Sequence, residues 1–216
     1  MRKSCLSTTF LCLVILFSPS LVRLQGQQKQ VSERGPSGQM PPKQPFSASQ
    51  WKKYTQELVT KILKDQPGSE DLIRNLKIKI DKRDVAYAGS DADRKLIEIF
   101  YGQIKLIDNE DEYIFVLAHE LGHVRLQHKE IYILYGWTSY YDKELRRQEE
   151  LEADEYAYNA VKAGGYNICA PFLIESRMAA IFISAYPDIE RQSTLGILTD
   201  IFQSRLDAMR KHCESD

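Results

Sequence analysis

The sequence predicts an α+β domain, mainly helical, with one small β-sheet. Three observations predict it. Apolar residues recur every three or four positions through several long stretches, the mark of helices with one buried face. Three short alternating runs, LKIKI, DVAYAG and KLIEIFYG, follow one another between residues 76 and 102 and suit a few adjacent strands. Pro67-Gly68 and Gly164-Gly165 break the pattern where elements should end. At 216 residues the chain has the length of one domain with a substantial core.

The N-terminus stands apart from that domain. Arg2 and Lys3 precede an apolar run from Cys5 to Phe17, and Ser18 and Ser20 place small residues at −3 and −1 of a cleavage point, so residues 1–20 read as a signal peptide. The run is shorter than the roughly 20 residues a membrane-spanning helix needs, which makes a retained anchor the lesser alternative. Residues 21–49 are rich in Gln, Pro, Ser and Gly, bury too little to offset their ordering entropy, and read as a disordered linker. The folded domain is then 50–216. Export to a periplasm or to the outside leaves Cys169 and Cys213 as the remaining pair in an oxidising compartment, either as a disulfide or as two thiols. A formal net charge of −1 offers no basic excess for nucleic acid or an anionic membrane surface, and the mature chain is expected to bind neither.

The elements follow in order. A helix is predicted from Gln50 to Asp65, carrying Trp51, Tyr54, Leu58, Ile62 and Leu63 on one face. The three short runs form the sheet. Asp108 and Asn109 suit the cap of a long helix that contains VLAHELGHVRLQH. A further helix spans Asp142 to Ala163, Pro171 opens another that reaches Ala185, and a last amphipathic helix uses Leu195, Leu198, Ile201, Phe202, Leu206 and Met209.

The long helix carries polar residues that a core face does not need. His119 and His123, at i and i+4, can aim ring nitrogens at one point, while Glu120 stands about 100° around the helix beside that point. Zinc suits two imidazoles, and a catalytic zinc keeps three protein ligands and one open position. A metzincin continuation would need Gly at 126 and His at 129, where the chain has Leu126 and Lys129. His128, about 140° around the helix from His123, cannot join the same site on an unbroken helix and is read as a surface or supporting residue. His212, among the charges of the tail, is read as solvated. The third ligand is therefore sought among the acids of EELEADEYAYNA. Glu150, Ala153, Asp154 and Ala157 form one stripe whose small residues admit a neighbouring helix, which favours Glu150; Glu149, Glu152 and Glu155 lie off it.

HELGH at 119–123 followed by E-x-x-A-D at Glu150 to Asp154 resembles the gluzincin metallopeptidases of the HtpX and CAAX prenyl protease type. The similarity runs from about Lys95 to Arg191. It implies a zincin-like fold of minigluzincin form, with zinc held by His119, His123 and Glu150 and with Asp154 steadying a ligand from behind. That last role also follows from the need of a zinc-bound histidine to donate its other N–H. The family often carries a His-Pro pair and a later Arg that help bind substrate or the developing oxyanion; this chain has Tyr186-Pro187 and Arg191 instead, with one residue less between them. The resemblance carries that role to Tyr186 and Arg191, and helix-end packing is the competing role for Tyr186.

Together these readings describe a secreted or periplasmic zinc metalloendopeptidase that cleaves peptides or unfolded proteins, with one Zn2+ per chain and Glu120 as general base. An edge strand, taken to lie within KLIEIFYG, would pair with extended substrate. The rival is a catalytically silent zinc-binding module with a chaperone-like or partner-binding role.

Overall fold

The computed structural model describes residues 40–43, 47–64, 66–128, 143–185 and 192–214. The signal segment, most of the predicted linker, Asp65, Asp142, Tyr186 and Arg191 lie outside the described residues. The observed class is α+β and mostly helical, with one three-stranded sheet.

Helix α1 covers Ala48–Leu63, two residues earlier than the spacing predicted, because Ser47 caps it by accepting from the Gln50 N–H at 3.4 Å. Its buried face is Trp51, Thr55, Leu58, Val59 and Leu63. The Thr55 and Tyr113 hydroxyls share a hydrogen bond of 2.6 Å, and Trp51 meets the Tyr113 ring edge-on at 5.5 Å, which joins α1 to the long central helix. Part of the predicted linker is also engaged: the carbonyl of Lys43 accepts from the Tyr101 hydroxyl at 2.5 Å.

A short helix α2, Glu70–Asn75, was not legible from hydrophobic spacing, since only Leu72 of it is buried. The sheet follows as β1 (Lys77–Asp81), β2 (Ala88–Asp91) and β3 (Leu96–Phe100), in spatial order β1-β3-β2. β1 runs parallel to β3 with Ile78 opposite Ile97, and β2 runs antiparallel to β3 with Ser90 opposite Ile97. Two expectations fail here. The second strand begins at Ala88 rather than at Asp84, and the KLIEIFYG strand is the central one, hydrogen-bonded on both sides. The reason is burial: Ile97 and Ile99 are inaccessible, which suits the middle of a sheet. The run also turns at Tyr101 into a short helix α3, Tyr101–Leu106.

Helix α4, Glu110–Leu126, is the axis of the domain. Asn109 accepts from the Glu112 N–H at 3.0 Å, and the Glu112 carboxylate accepts from the Asp108 N–H at 2.8 Å, a reciprocal start resembling a capping box. Residues 112 to 124 are all buried, so the helix is enclosed on every side rather than amphipathic. Helix α5 (Lys143–Ala163) lies along it, and α6 (Ala170–Ala185) and α7 (Gln192–Glu214) complete the layer. Pro171 sits in the first turn of α6. Cys169 and Cys213 are joined as a disulfide, tying the start of α6 to the last turn of α7. Among the described residues no helix is long and apolar enough to cross a membrane.

Candidate metal centre

The site forms where α5 crosses α4 closely. At Gly122 a side-chain carbon would stand 3.0 Å from the Cα of Ala153 and 3.2 Å from its carbonyl oxygen, so any larger residue would crowd the α5 backbone at this approach. The stripe of Glu150, Ala153, Asp154 and Ala157 is buried throughout and faces α4. Close contact of the two backbones brings Glu150 to the histidines.

His119, His123 and Glu150 each offer one ligand atom, and these atoms lie within 4.8 Å of one another. The Nε2 atoms of the two imidazoles are 3.1 Å apart, and Glu150 stands 3.3 Å from His119 Nε2 and 3.6 Å from His123 Nε2. Two imidazole nitrogens and a carboxylate converging at one buried point form a donor set able to hold a metal ion. Arg146, one turn earlier on α5, reaches Glu150 Oε1 at 2.5 Å. Burial pushes the Glu150 carboxyl up, but Arg146, His119 and Arg205 outweigh it and hold it well below the usual carboxylate range.

Behind the histidines the structure supplies partners of two kinds. Asp154 Oδ1 accepts from His119 Nδ1 at 2.7 Å. Arg205 of α7 forks onto the same carboxylate, Nε donating to Oδ2 at 2.7 Å and Nη2 to Oδ1 at 2.8 Å, and Nη2 also donates to Glu175 of α6 at 3.0 Å. Burial pushes Asp154 up, yet Arg205 and then His119 hold it lowered. For Glu175 burial dominates over Arg205 and leaves its carboxyl raised. For His119, burial and Arg205 oppose protonation, but Asp154 and Glu150 together win and push it up to about 10 when no metal is bound. His123 goes the other way, down to about 2, because burial and the neighbouring His119 charge exceed the pull of Glu150.

Glu120 is buried, with Ser90 of β2 near enough to favour its ionised form. Burial raises its carboxyl, partly opposed by His119 and Ser90. It is thus a carboxylate beside the donor cluster, with an affinity for protons above the ordinary.

Arg205, Glu175 and Glu152 were not assigned to the site by sequence, and His128, read as a surface or supporting residue, is buried beside His123 rather than on the surface. The signals were present: Arg205 interrupts the apolar stripe of α7 between Ile201 and Met209, and Glu175 is the one acid in APFLIESRMAAIFISA. The reading of His212 as solvated is corrected. It stacks on Tyr158 with centroids 3.8 Å apart and meets Glu155 at 3.0 Å. Tyr186 and Arg191 fall outside the described residues.

The chain matches two family models: Peptidase family M48 over residues 56–140 and Peptidase U49 over residues 113–186. Together the two matches support a zincin-type metallopeptidase family. The two matches overlap on the helix bearing His119, Glu120 and His123; that to Peptidase family M48 takes in the sheet, whereas that to Peptidase U49 takes in Glu150 and Asp154. No curated protein and no solved structure matches the chain. Both family descriptions are of peptidases, which supports a protease and hence peptide substrates.

Proposed function

We propose that the chain is a zinc metalloendopeptidase of an oxidising compartment, secreted or periplasmic, with residues 1–20 as its signal, 21–49 as a linker and 50–216 as the catalytic domain. The observation that carries the reading is the convergence of His119, His123 and Glu150 with Glu120 beside them. Two imidazoles and one carboxylate match a catalytic zinc donor set that leaves a position open. The Cys169–Cys213 disulfide supports the compartment, because such bonds persist where glutathione and thioredoxin do not reduce them.

Zinc held there would supply Lewis acidity, lowering the pKa of water from about 15.7 toward about 7 and polarising the peptide carbonyl. The chain's own residues do the rest. Glu120 takes the proton from the attacking water and passes it to the leaving amine; its raised proton affinity brings base and acid roles nearer to neutral pH. Asp154 keeps the Nδ1 proton of His119 in place, which leaves Nε2 free as a ligand atom. Tyr186 and Arg191 are proposed to assist substrate or oxyanion binding, as in the resembling family.

The substrate backbone is proposed to pair with β2, whose only strand partner among the described residues is β3, and whose Ser90 lies near Glu120. Proline placed in turn across Ala88–Asp91 should raise KM with kcat little changed wherever the lost N–H points away from β3. An unchanged KM at all four positions would exclude this strand.

The deciding experiment is Glu120→Gln in the purified full chain, with bound metal measured by mass spectrometry and casein digestion followed with and without chelator. Zinc should stay near one per chain while cleavage disappears. Cleavage surviving the substitution would remove Glu120 from the base role, and a wild type that holds zinc but never cleaves would favour the silent binding module.

A further inference from the structure

We propose that His128 and Glu152 are positioning residues for the metal centre, forming an outer relay that fixes the tautomer and ring angle of His123 as Asp154 does for His119. The inference rests on the metal-binding reading above and concerns a part of the site that the HExxH and ExxAD spacing does not address.

On a continuous helix His128 would point about 140° away from His123. The helix does not continue. Gln127 adopts a left-handed conformation with φ 58° and ψ 36°, and the N–H of His128 returns to the carbonyl of His123 at 3.0 Å, closing the last turn. A non-glycine residue adopts this region only against steric resistance from its Cβ. What the turn achieves is specific: it lays the His128 ring against that of His123, Nδ1 to Nδ1 at 2.9 Å. The opposite nitrogen, Nε2, meets Glu152 Oε2 of α5 at 3.1 Å, and Gln148 donates to the other oxygen of Glu152 at 2.7 Å. His128 is buried, whereas Glu152 opens to solvent.

Proton placement follows from this geometry. Of the two facing Nδ1 atoms, one must donate and the other accept. His123 Nε2 lies in the donor cluster, 3.1 Å from His119 Nε2, so a ligand lone pair there puts the His123 proton on Nδ1. His123 then donates, His128 Nδ1 accepts, and the His128 proton sits on Nε2, directed at the Glu152 carboxylate. Each of the two imidazole N–H groups then has an acceptor. The reverse assignment would put a proton on His123 Nε2, in the middle of the cluster, where it blocks the ligand atom. Glu152 therefore selects the tautomer of His128, and His128 selects that of His123. A residue that merely finished α4 would not need a carboxylate from α5 on its far nitrogen.

The test is zinc affinity, measured by competition with a chromophoric chelator on the disulfide-bonded full chain, for wild type, His128→Ala, His128→Gln, Glu152→Ala and Glu152→Gln. Thermal unfolding of each metal-free form runs alongside. Loss of an outer partner typically costs about 10- to 100-fold in metal affinity, and that loss is expected for His128→Ala. His128→Gln, whose amide oxygen can accept from Nδ1–H, should recover much of it. Glu152→Ala should weaken binding with melting little changed, and Glu152→Gln should fall between it and wild type. In the zinc-loaded protein one downfield imidazole N–H proton resonance should vanish in His128→Ala. Zinc affinity of both alanine variants equal to wild type overturns the proposal alone. A wild type without zinc affinity overturns the metal reading as well. If His128→Ala fails to fold, Glu152→Ala decides: weakened binding supports the relay and unchanged binding overturns it.

Discussion

Arg205→Met is the perturbation whose cost the structure defines most directly. The guanidinium is only 6% exposed, forks onto Asp154 at 2.7 and 2.8 Å, reaches Glu175 at 3.0 Å and stands 3.4 Å from Glu150. Methionine matches the stem but leaves Glu175 buried without its cation and Asp154 with His119 alone. Breaking one side of a buried ion pair costs about 3 to 5 kcal/mol, because the remaining charge keeps its desolvation penalty and loses its partner. Against a total stability of roughly 5 to 15 kcal/mol this is a large fraction. If stranded charge is the cause, adding Asp154→Asn and Glu175→Gln to Arg205→Met should restore on the order of 2 kcal/mol, since neutral amides cost less to bury. Urea unfolding of the metal-free, disulfide-bonded protein, followed by far-UV circular dichroism, reads these differences as midpoint shifts at constant slope. A loss below about 1 kcal/mol for the single variant, or a triple variant no more stable than it, would refute the reasoning.

Reduction of Cys169–Cys213 with a dithiol should destabilise the metal-free domain. The bridge closes a sequence separation of 44 residues, worth about 4 kcal/mol by the chain-entropy relation, and an unchanged urea midpoint after reduction would contradict it. Zinc binding should also be linked to protons through His119. Its affinity for a proton is raised from 6.5 to about 10 without metal, so its contribution to metal-free stability is full below the lower value and is lost as pH rises through the higher one. Zinc must displace that proton, so zinc affinity should climb with pH up to about 10. Calorimetry at pH 8 in buffers of different ionisation enthalpy should find at least about one proton released per zinc, and no buffer dependence would exclude the linkage.

Much of the framework was legible in the sequence because its causes are local. Helical spacing, the Asn109 cap, the Gly164-Gly165 stop and Pro171 each act within a few residues of where they stand, and the observed helices agree with them to within one or two residues. The same locality places His119, Glu120 and His123 on one helix and Glu150, Ala153 and Asp154 on one stripe of another. What depends on distant packing was not legible. The KLIEIFYG strand became central because two other segments chose to pair with it, and hydrophobicity alone does not state strand order. Arg205 looked like a charge misplaced on an apolar face until α7 lay against α5 and α6, where two carboxylates required it. His128 joined His123 only because one residue, Gln127, left the helical conformation, and the carboxylate that meets the far nitrogen of its ring comes from another helix. Sequence determined which chemical groups the protein owns and on which helices they ride. Tertiary packing decided which of them meet, since the cost of burying a charge is settled only when its neighbours are in place.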